Sequence, residues 1–458
     1  MFILLVPLIT TPYIARVLGP NGIGINAYTN SIIQYFVLFG SIGVDLYGNR
    51  QIAFVRSNKK KLTQTFYEIF IMRFFTILLA YCIFLVFLFF TNQYRGFYLA
   101  QSVQIIAAAF DISWFFMGME AFSVTVIRNL VIRILTIASI FIFINSYNDL
   151  RLYILILSIS TLVGNATLFP NLRKYITLFP KLKLHPWKHF KPSLIMFLPQ
   201  IATQIYLVLN KTMLGSIDSV NAAGFFEQSD KIVKMVLAVV TATGTVMLPH
   251  VANVFARGDK KKTKDYLYNS FSFVTALALP MTWGLLAIAP KLIDLFLTPK
   301  FRSVIPIMSI ETVVIILIAW SNVIGTQYLL PTKQLREYTQ SVVIGAVINL
   351  MMNIPLILAW GAIGSAIATV ISEITVTGYQ LFAIRKQIKF RLLFADFGKY
   401  LLASVLMFTF VYLIDRLAVV TWLMLFLEIL LGILIYLVLI LAMRVRLVNL
   451  VKSIFNSK

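Results

Sequence analysis

A chain of 458 residues with 60% hydrophobic and only 12% charged side chains is too apolar for a water-soluble enzyme. Its net charge of +23 does not point to nucleic acid, because the basic residues are spread over the connections between apolar runs rather than gathered in one polar domain. One cysteine, Cys82 in the middle of an apolar run, and three scattered histidines, His185, His189 and His250, offer neither a disulfide framework nor a metal constellation, so no cofactor is expected.

In chain order, apolar spans are predicted near 1–18, 25–47, 67–91, 97–117, 122–145, 151–169, 193–213, 222–250, 266–289, 303–330, 338–358, 361–383, 398–415 and 420–443. Several approach the roughly 20 residues that cross a hydrocarbon core, and in lipid only a helix satisfies its own backbone within one segment. The predicted fold class is therefore all-α integral membrane, with about 14 transmembrane helices. The first span begins directly at Met1 with Phe-Ile-Leu-Leu-Val and has no basic flank, so helix one reads as shortened.

Alternate connections collect cations: Arg50 to Lys61, Arg173 to Lys191, Arg257 to Lys264, Lys333 to Arg336, Arg385 to Lys399, and the tail from Arg444. That side holds 27 Lys and Arg; the other carries only Arg16, Arg95, Arg151, Lys291, Lys300, Arg302 and Arg416. The positive-inside rule makes the rich side cytoplasmic, with both termini there, and places the protein in the cell (cytoplasmic) membrane among membrane lipids.

An internal repeat organises the spans. Arg56-Ser57-Asn58-Lys59-Lys60-Lys61 matches Arg257-Gly258-Asp259-Lys260-Lys261-Lys262, and Pro7 and Thr11 share their spacing with Pro199 and Thr203. The copies are offset by six helices, an even number, so they run in the same direction. Parallel repeats of this kind are one architecture of secondary transporters. The predicted division is an N-terminal six-helix lobe at 1–170, a cytoplasmic linker at 171–192, a C-terminal six-helix lobe at 193–384, two extra helices at 385–443 and a basic tail at 444–458. The competing reading is that Lys-rich loops recur at cytoplasmic ends for topological reasons alone.

Charges within predicted spans mark the candidate site. Glu227, Asp230, Lys231 and Lys234 lie at i, i+3, i+4 and i+7 and share one helix face. Intramembrane ionisable groups are costly and usually face a bundle interior or an aqueous cavity. The plain alternative is mutual neutralisation, Glu227 with Lys231 and Asp230 with Lys234. On the preceding span Gln200, Thr203, Gln204 and Lys211 form a polar stripe with Asn210 nearby. In the first lobe Thr10, Tyr13, Arg16, Tyr28, Ser31 and Tyr35 make a comparable one, although Arg16 near its helix end is equally an interfacial charge. A cavity with Arg16, Lys211, Lys231 and Lys234 would suit an anion such as a pyrophosphate, with Glu227 and Asp230 pairing the lysines or binding a coupling ion. Asp45, Glu68, Arg73, Asp111, Arg128, Arg133, Glu311 and Glu373 read as structural pairs.

Several motifs together resemble a known family: Thr-Pro-Tyr-Ile-Ala-Arg-Val-Leu-Gly-Pro-Asn-Gly-Ile-Gly at 11–24, Tyr-Gly-Asn-Arg-Gln-Ile-Ala at 47–53, Asp-Ile-Ser-Trp-Phe-Phe at 111–116, Asn-Lys-Thr-Met-Leu-Gly at 210–215, Glu-Gln-Ser-Asp-Lys-Ile-Val-Lys at 227–234, and Gly-Thr-Val-Met-Leu-Pro-His at 244–250. The chain resembles, along nearly its whole length, the oligosaccharide-lipid flippases of the multidrug/oligosaccharidyl-lipid/polysaccharide exporter (MOP) superfamily. The resemblance implies a MATE-like fold of two six-helix lobes around a cationic cavity, and translocation of undecaprenyl-pyrophosphate-linked oligosaccharide repeat units for capsule, exopolysaccharide or O-antigen synthesis. It places Arg16 and Lys211 where helices one and seven line that cavity, and implies proximity to polysaccharide polymerase machinery. A multidrug or cation antiporter of the same superfamily is the alternative, and a membrane-embedded polymerase the more distant one. The predicted outer loops are short and hold no catalytic constellation.

Overall fold

In the computed structural model the described residues are 2–177, 183–417 and 419–447; within these, the side chains at 2–5, 198–200, 202–203, 205–207 and 243–250 fall outside the description, as does the tail from 448. Contacts divide the chain into two compact units, residues 1–224 and 225–458. Among the described residues there are helices and turns but no strand.

The first unit holds α1 (Phe2–Ser41), α2 (Val44–Val55), α3 (Lys59–Phe90), α4 (Arg95–Ala109), α5 (Ser113–Gly118), α6 (Phe122–Phe143), α7 (Leu150–Ala166), α8 (Phe169–Leu172) and α9 (Phe190–Ile217). α1 is two helices joined at Gly19, whose φ of 64° and ψ of −178° interrupt the spiral. Pro20 explains the position: a residue before proline is pushed out of the helical region, and proline itself begins a helix well. The second half of α1 stops at Ser41, six residues short of the expected end at 47. Ile42 and Gly43 both have positive φ, and Gly43 passes so close to α9 that a Cβ there would lie 2.9 Å from Phe197 Cβ. α2 restarts beyond that crossing and packs on α3, α5 and α9.

The second unit holds α10 (Val220–Ala256, from residue 225 on), α11 (Lys260–Ala287), α12 (Ala289–Leu292), α13 (Val304–Ser321), α14 (Leu335–Ile384), α15 (Phe390–Leu393), α16 (Phe397–Leu417) and α17 (Trp422–Ala442). α14 is again two helices, broken at Gly361 with φ 55°. α16 packs along α11, and α17 packs on α16. Met407, Val411, Leu425 and Tyr436 form a common core there with Ala287 and Ile288.

The repeated Lys-rich motif has one structural meaning in both units. Asn58 Oδ1 accepts from the Lys61 amide at 3.0 Å, and Asp259 Oδ1 accepts from the Lys262 amide at 2.9 Å. Each is the N-cap of a long helix, α3 or α11, closing an otherwise orphaned N–H three residues on.

Ten helical stretches among the described residues are long and apolar enough to cross a membrane. Two of them, Val6–Val55 and Leu335–Ile384, have 50 residues each. At about 1.5 Å per residue such a stretch is more than twice the ~30 Å hydrocarbon thickness, so each is long enough for two crossings. With α9 and α10, of 28 and 37 residues, the total is near fourteen. Large apolar side chains face outward, including Phe89, Phe90, Ile127, Leu135, Leu423 and Leu434. Surfaces of this kind aggregate in water and are solvated in lipid. Cys82 is exposed among them. The chain is a multi-pass α-helical membrane protein.

Candidate functional site

In the first unit, α9 lies against the second half of α1. Thr212 Oγ1 donates to Ser31 Oγ at 2.7 Å and approaches Tyr35 Oη at 3.3 Å, while Tyr28 Oη and Ser216 Oγ share a hydrogen bond of 3.2 Å. Gly215 permits this contact, since a Cβ there would stand 2.1 Å from the Tyr28 ring. The hydroxyl stripe of Tyr28, Ser31 and Tyr35 is therefore used to join two helices. Tyr13 turns elsewhere and donates to the Ile144 carbonyl at 2.6 Å. Among the predicted site residues of this unit, Asn210 is buried, Lys211 is half-buried, and Arg16 and Gln204 are exposed. The side chain of Gln200, like that of Thr203, lies outside the described residues.

In the second unit, α10 is two-faced. Phe226, Gln228, Ser229, Ile232 and Val233 are buried, and Ser229 donates a short hydrogen bond to Glu311 on α13. Glu227, Asp230 and Lys231 are half-buried and Lys234 is exposed, so the predicted charged stripe is the less buried face. Lys234 Nζ donates to Asp230 Oδ2 at 2.8 Å, one of the two i,i+4 pairs that the spacing allows.

Of the charges expected to pair structurally, Asp45, Arg73, Asp111 and Glu68 do so, in two clusters of the first unit. Arg73, 2% exposed, donates to Asp45 Oδ1 at 2.6 Å and to the Ala108 carbonyl at 2.9 Å, with Asp111 at 4.0 Å. It ties the start of α2 to the end of α4. Arg128 extends the cluster by donating to Asn165 Oδ1 and Ser113 Oγ.

The second cluster fastens residues 185–189, just ahead of α9, to α3. Glu68, buried on α3, accepts from Lys188 Nζ at 2.6 Å, the His185 amide at 3.0 Å, Gln64 Nε2 at 3.0 Å and His189 Nε2 at 3.1 Å. Because an ionised carboxylate only accepts, His189 carries its proton on Nε2 and receives the Tyr47 hydroxyl at Nδ1, 2.7 Å away. Burial pushes the His189 pKa below the ordinary imidazole value, with Glu68 opposing the shift. Spacing gave no sign of this cluster, since Glu68 lies more than 100 residues from His185 and His189; a basic connection and a lone glutamate within a predicted span were the available signal.

This helix arrangement is the fold of the MOP-superfamily transporters. The lipid II flippase MurJ, in an inward closed conformation, matches with a TM-score of 0.77 at 18% identity, over 96% of both chains. An inward-facing multidrug MATE transporter of the MOP superfamily matches at 0.62 with 11% identity, over 84% of this chain and 98% of that one. The family model described as polysaccharide biosynthesis protein matches residues 1–255, and the chain belongs to that family. It is also 23% identical over 390 residues to the putative O-antigen transporter of Escherichia coli K12, covering 83% of this chain and 93% of that protein.

Proposed function

We propose that the protein is a flippase moving undecaprenyl-pyrophosphate-linked oligosaccharide repeat units across the cytoplasmic membrane, for capsule, exopolysaccharide or O-antigen synthesis. The observation that carries this reading is a chain of the polysaccharide biosynthesis family that crosses the membrane repeatedly and keeps ionisable groups on a less buried face of a long helix, α10. Such groups are costly in lipid unless they meet water or a charged ligand. Names of the matched proteins, an O-antigen transporter and a lipid II flippase, point the same way. In this reading the protein transports and does not catalyse.

Arg16, Lys211, Lys231 and Lys234 supply the positive charge that holds the pyrophosphate through charge-assisted hydrogen bonds, and Gln200, Gln204 and Asn210 supply amides for sugar hydroxyls. Glu227 and Asp230 hold the lysines charged or bind a coupling ion. The duplicated blocks at 1–170 and 193–384 alternate access, joined by the 171–192 linker, with 385–443 appended. The basic connections and both termini face the cytoplasm, and the polymerase machinery receives the product.

The test is delivery of lipid-linked oligosaccharide to the outer leaflet of proteoliposomes, comparing the protein with its Lys211→Ala and Lys231→Ala/Lys234→Ala variants. Protein-dependent movement that falls with each variant supports the proposal. Unchanged movement with the lysines removed sinks the cationic grip, and no movement by folded protein restores the cation antiporter.

A further inference from the structure

The helices appended after the repeat carry a buried charge cluster that the transport reading leaves unused. Lys291 sits on α12, in a connection where the sequence reads it as a loop charge. Its side chain is 2% exposed, and the two carboxyl groups it meets, Asp415 at the end of α16 and Glu428 in the second turn of α17, are 7% and 1% exposed. Lys291 Nζ donates to Glu428 Oε1 and stands 3.2 Å from Asp415 Oδ1, close enough to pair as charges but at an angle that leaves this oxygen without a hydrogen bond. Glu428 Oε2 is likewise buried with no donor. Both carboxyl groups converge on the single Lys291 ammonium, and each has one buried oxygen without a donor.

Two ionised carboxylates can only accept, so a hydrogen bond between them requires a proton on one. Fully ionised, the cluster would bury two negative charges against one positive. Lys291 is ion-paired with both carboxyl groups. Nearby Arg416 is turned to the Tyr412 hydroxyl and ring, and Arg302 is engaged by Asp294 at 2.7 Å. Uncompensated buried charge is expensive, and closely spaced carboxylates relieve it by sharing a proton.

We propose that Lys291, Asp415 and Glu428 form a proton-binding site: one ammonium, one carboxylate and one carboxylic acid, with a single proton shared by the two acids. The bound proton supplies the donor both orphaned oxygens lack and makes the cluster neutral. It couples protonation to the seating of α16 and α17 on α12, because loss of the proton leaves unbalanced charge at the point where these three elements meet. The site stands independently of which substrate the protein carries.

The test is infrared difference spectroscopy of the purified full-length protein in lipid nanodiscs at neutral pH. Wild type minus Glu428→Gln and wild type minus Asp415→Asn should each show the carbonyl band of one protonated carboxylic acid, slow to shift in heavy water. Either variant removes the band because the remaining carboxylate ionises against Lys291, and that retained ion pair keeps the variant folded. Wild type with no protonated carboxyl band at neutral pH overturns the proposal whether or not the variants fold. A band that survives Asp415→Asn overturns the sharing. Proteoliposome transport is a separate readout, so failure of the flippase reading and failure of the proton site are told apart.

Discussion

Replacing Glu68 by Gln tests whether one carboxylate locks the segment ahead of α9. The substitution keeps size and one acceptor oxygen, but removes the charge that faces Lys188 at 2.6 Å and turns the other oxygen into a donor among the donors from His185, Gln64 and His189. A hydrogen bond to a charged group contributes about 1.5–3 kcal/mol, and breaking a buried pair costs about 3–5 kcal/mol. Lys188 is 49% exposed and regains water on release, so the loss falls in the first of these ranges rather than the second, at about 2 kcal/mol. Since 1.4 kcal/mol is tenfold, the docked segment should open roughly 30-fold more often. Hydrogen exchange read by mass spectrometry on peptides spanning 183–191 should show that acceleration, greatest at the His185 amide, while the amides of α11 exchange as before. Unchanged protection at 183–191 would refute the reasoning, and a loss of protection throughout α3 would show a wider structural role.

The same segment should respond to acid. His189 is buried, its pKa lies below the ordinary imidazole value of about 6.5, and an unfolded or undocked imidazole binds protons first as pH falls. The stability from docking is therefore complete above about pH 6.5 and is lost as pH drops through the lowered folded value, which exchange at 183–191 measured from pH 7.5 downward should follow (roughly one residue's titration). His189→Gln should flatten that dependence. Arg73→Met removes the buried ion pair to Asp45 and the side-chain donor to the Ala108 carbonyl, and should lower stability by about 3 kcal/mol, read as a fall of several degrees in apparent melting temperature in detergent; Asp45→Asn should cost less, because Asp45 is 62% exposed. Gly24→Ala would set a Cβ 1.8 Å from the Val220 carbonyl oxygen, forcing two backbones apart at a cost of about 1–3 kcal/mol or more, whereas Gly96→Ala meets nothing within 4 Å and should leave thermal stability unchanged.

Sequence by itself determined what acts over a few residues along one helix. Long apolar runs dictate spanning helices because lipid cannot satisfy a bare backbone. Gly19-Pro20 breaks α1 through local sterics, Asn58 and Asp259 cap their helices three residues on, and Asp230 meets Lys234 one turn away. Only tertiary structure decided the rest. The helix end at Ser41 rather than 47 depends on Phe197 crossing at Gly43, more than 150 residues away. Glu68 with His185 and Lys291 with Glu428 are partners separated by 117 and 137 residues. A charge in a predicted loop or span announces its cost but not its partner, because pairing is settled by which helices pack together, and the apolar surfaces that drive packing look alike in sequence.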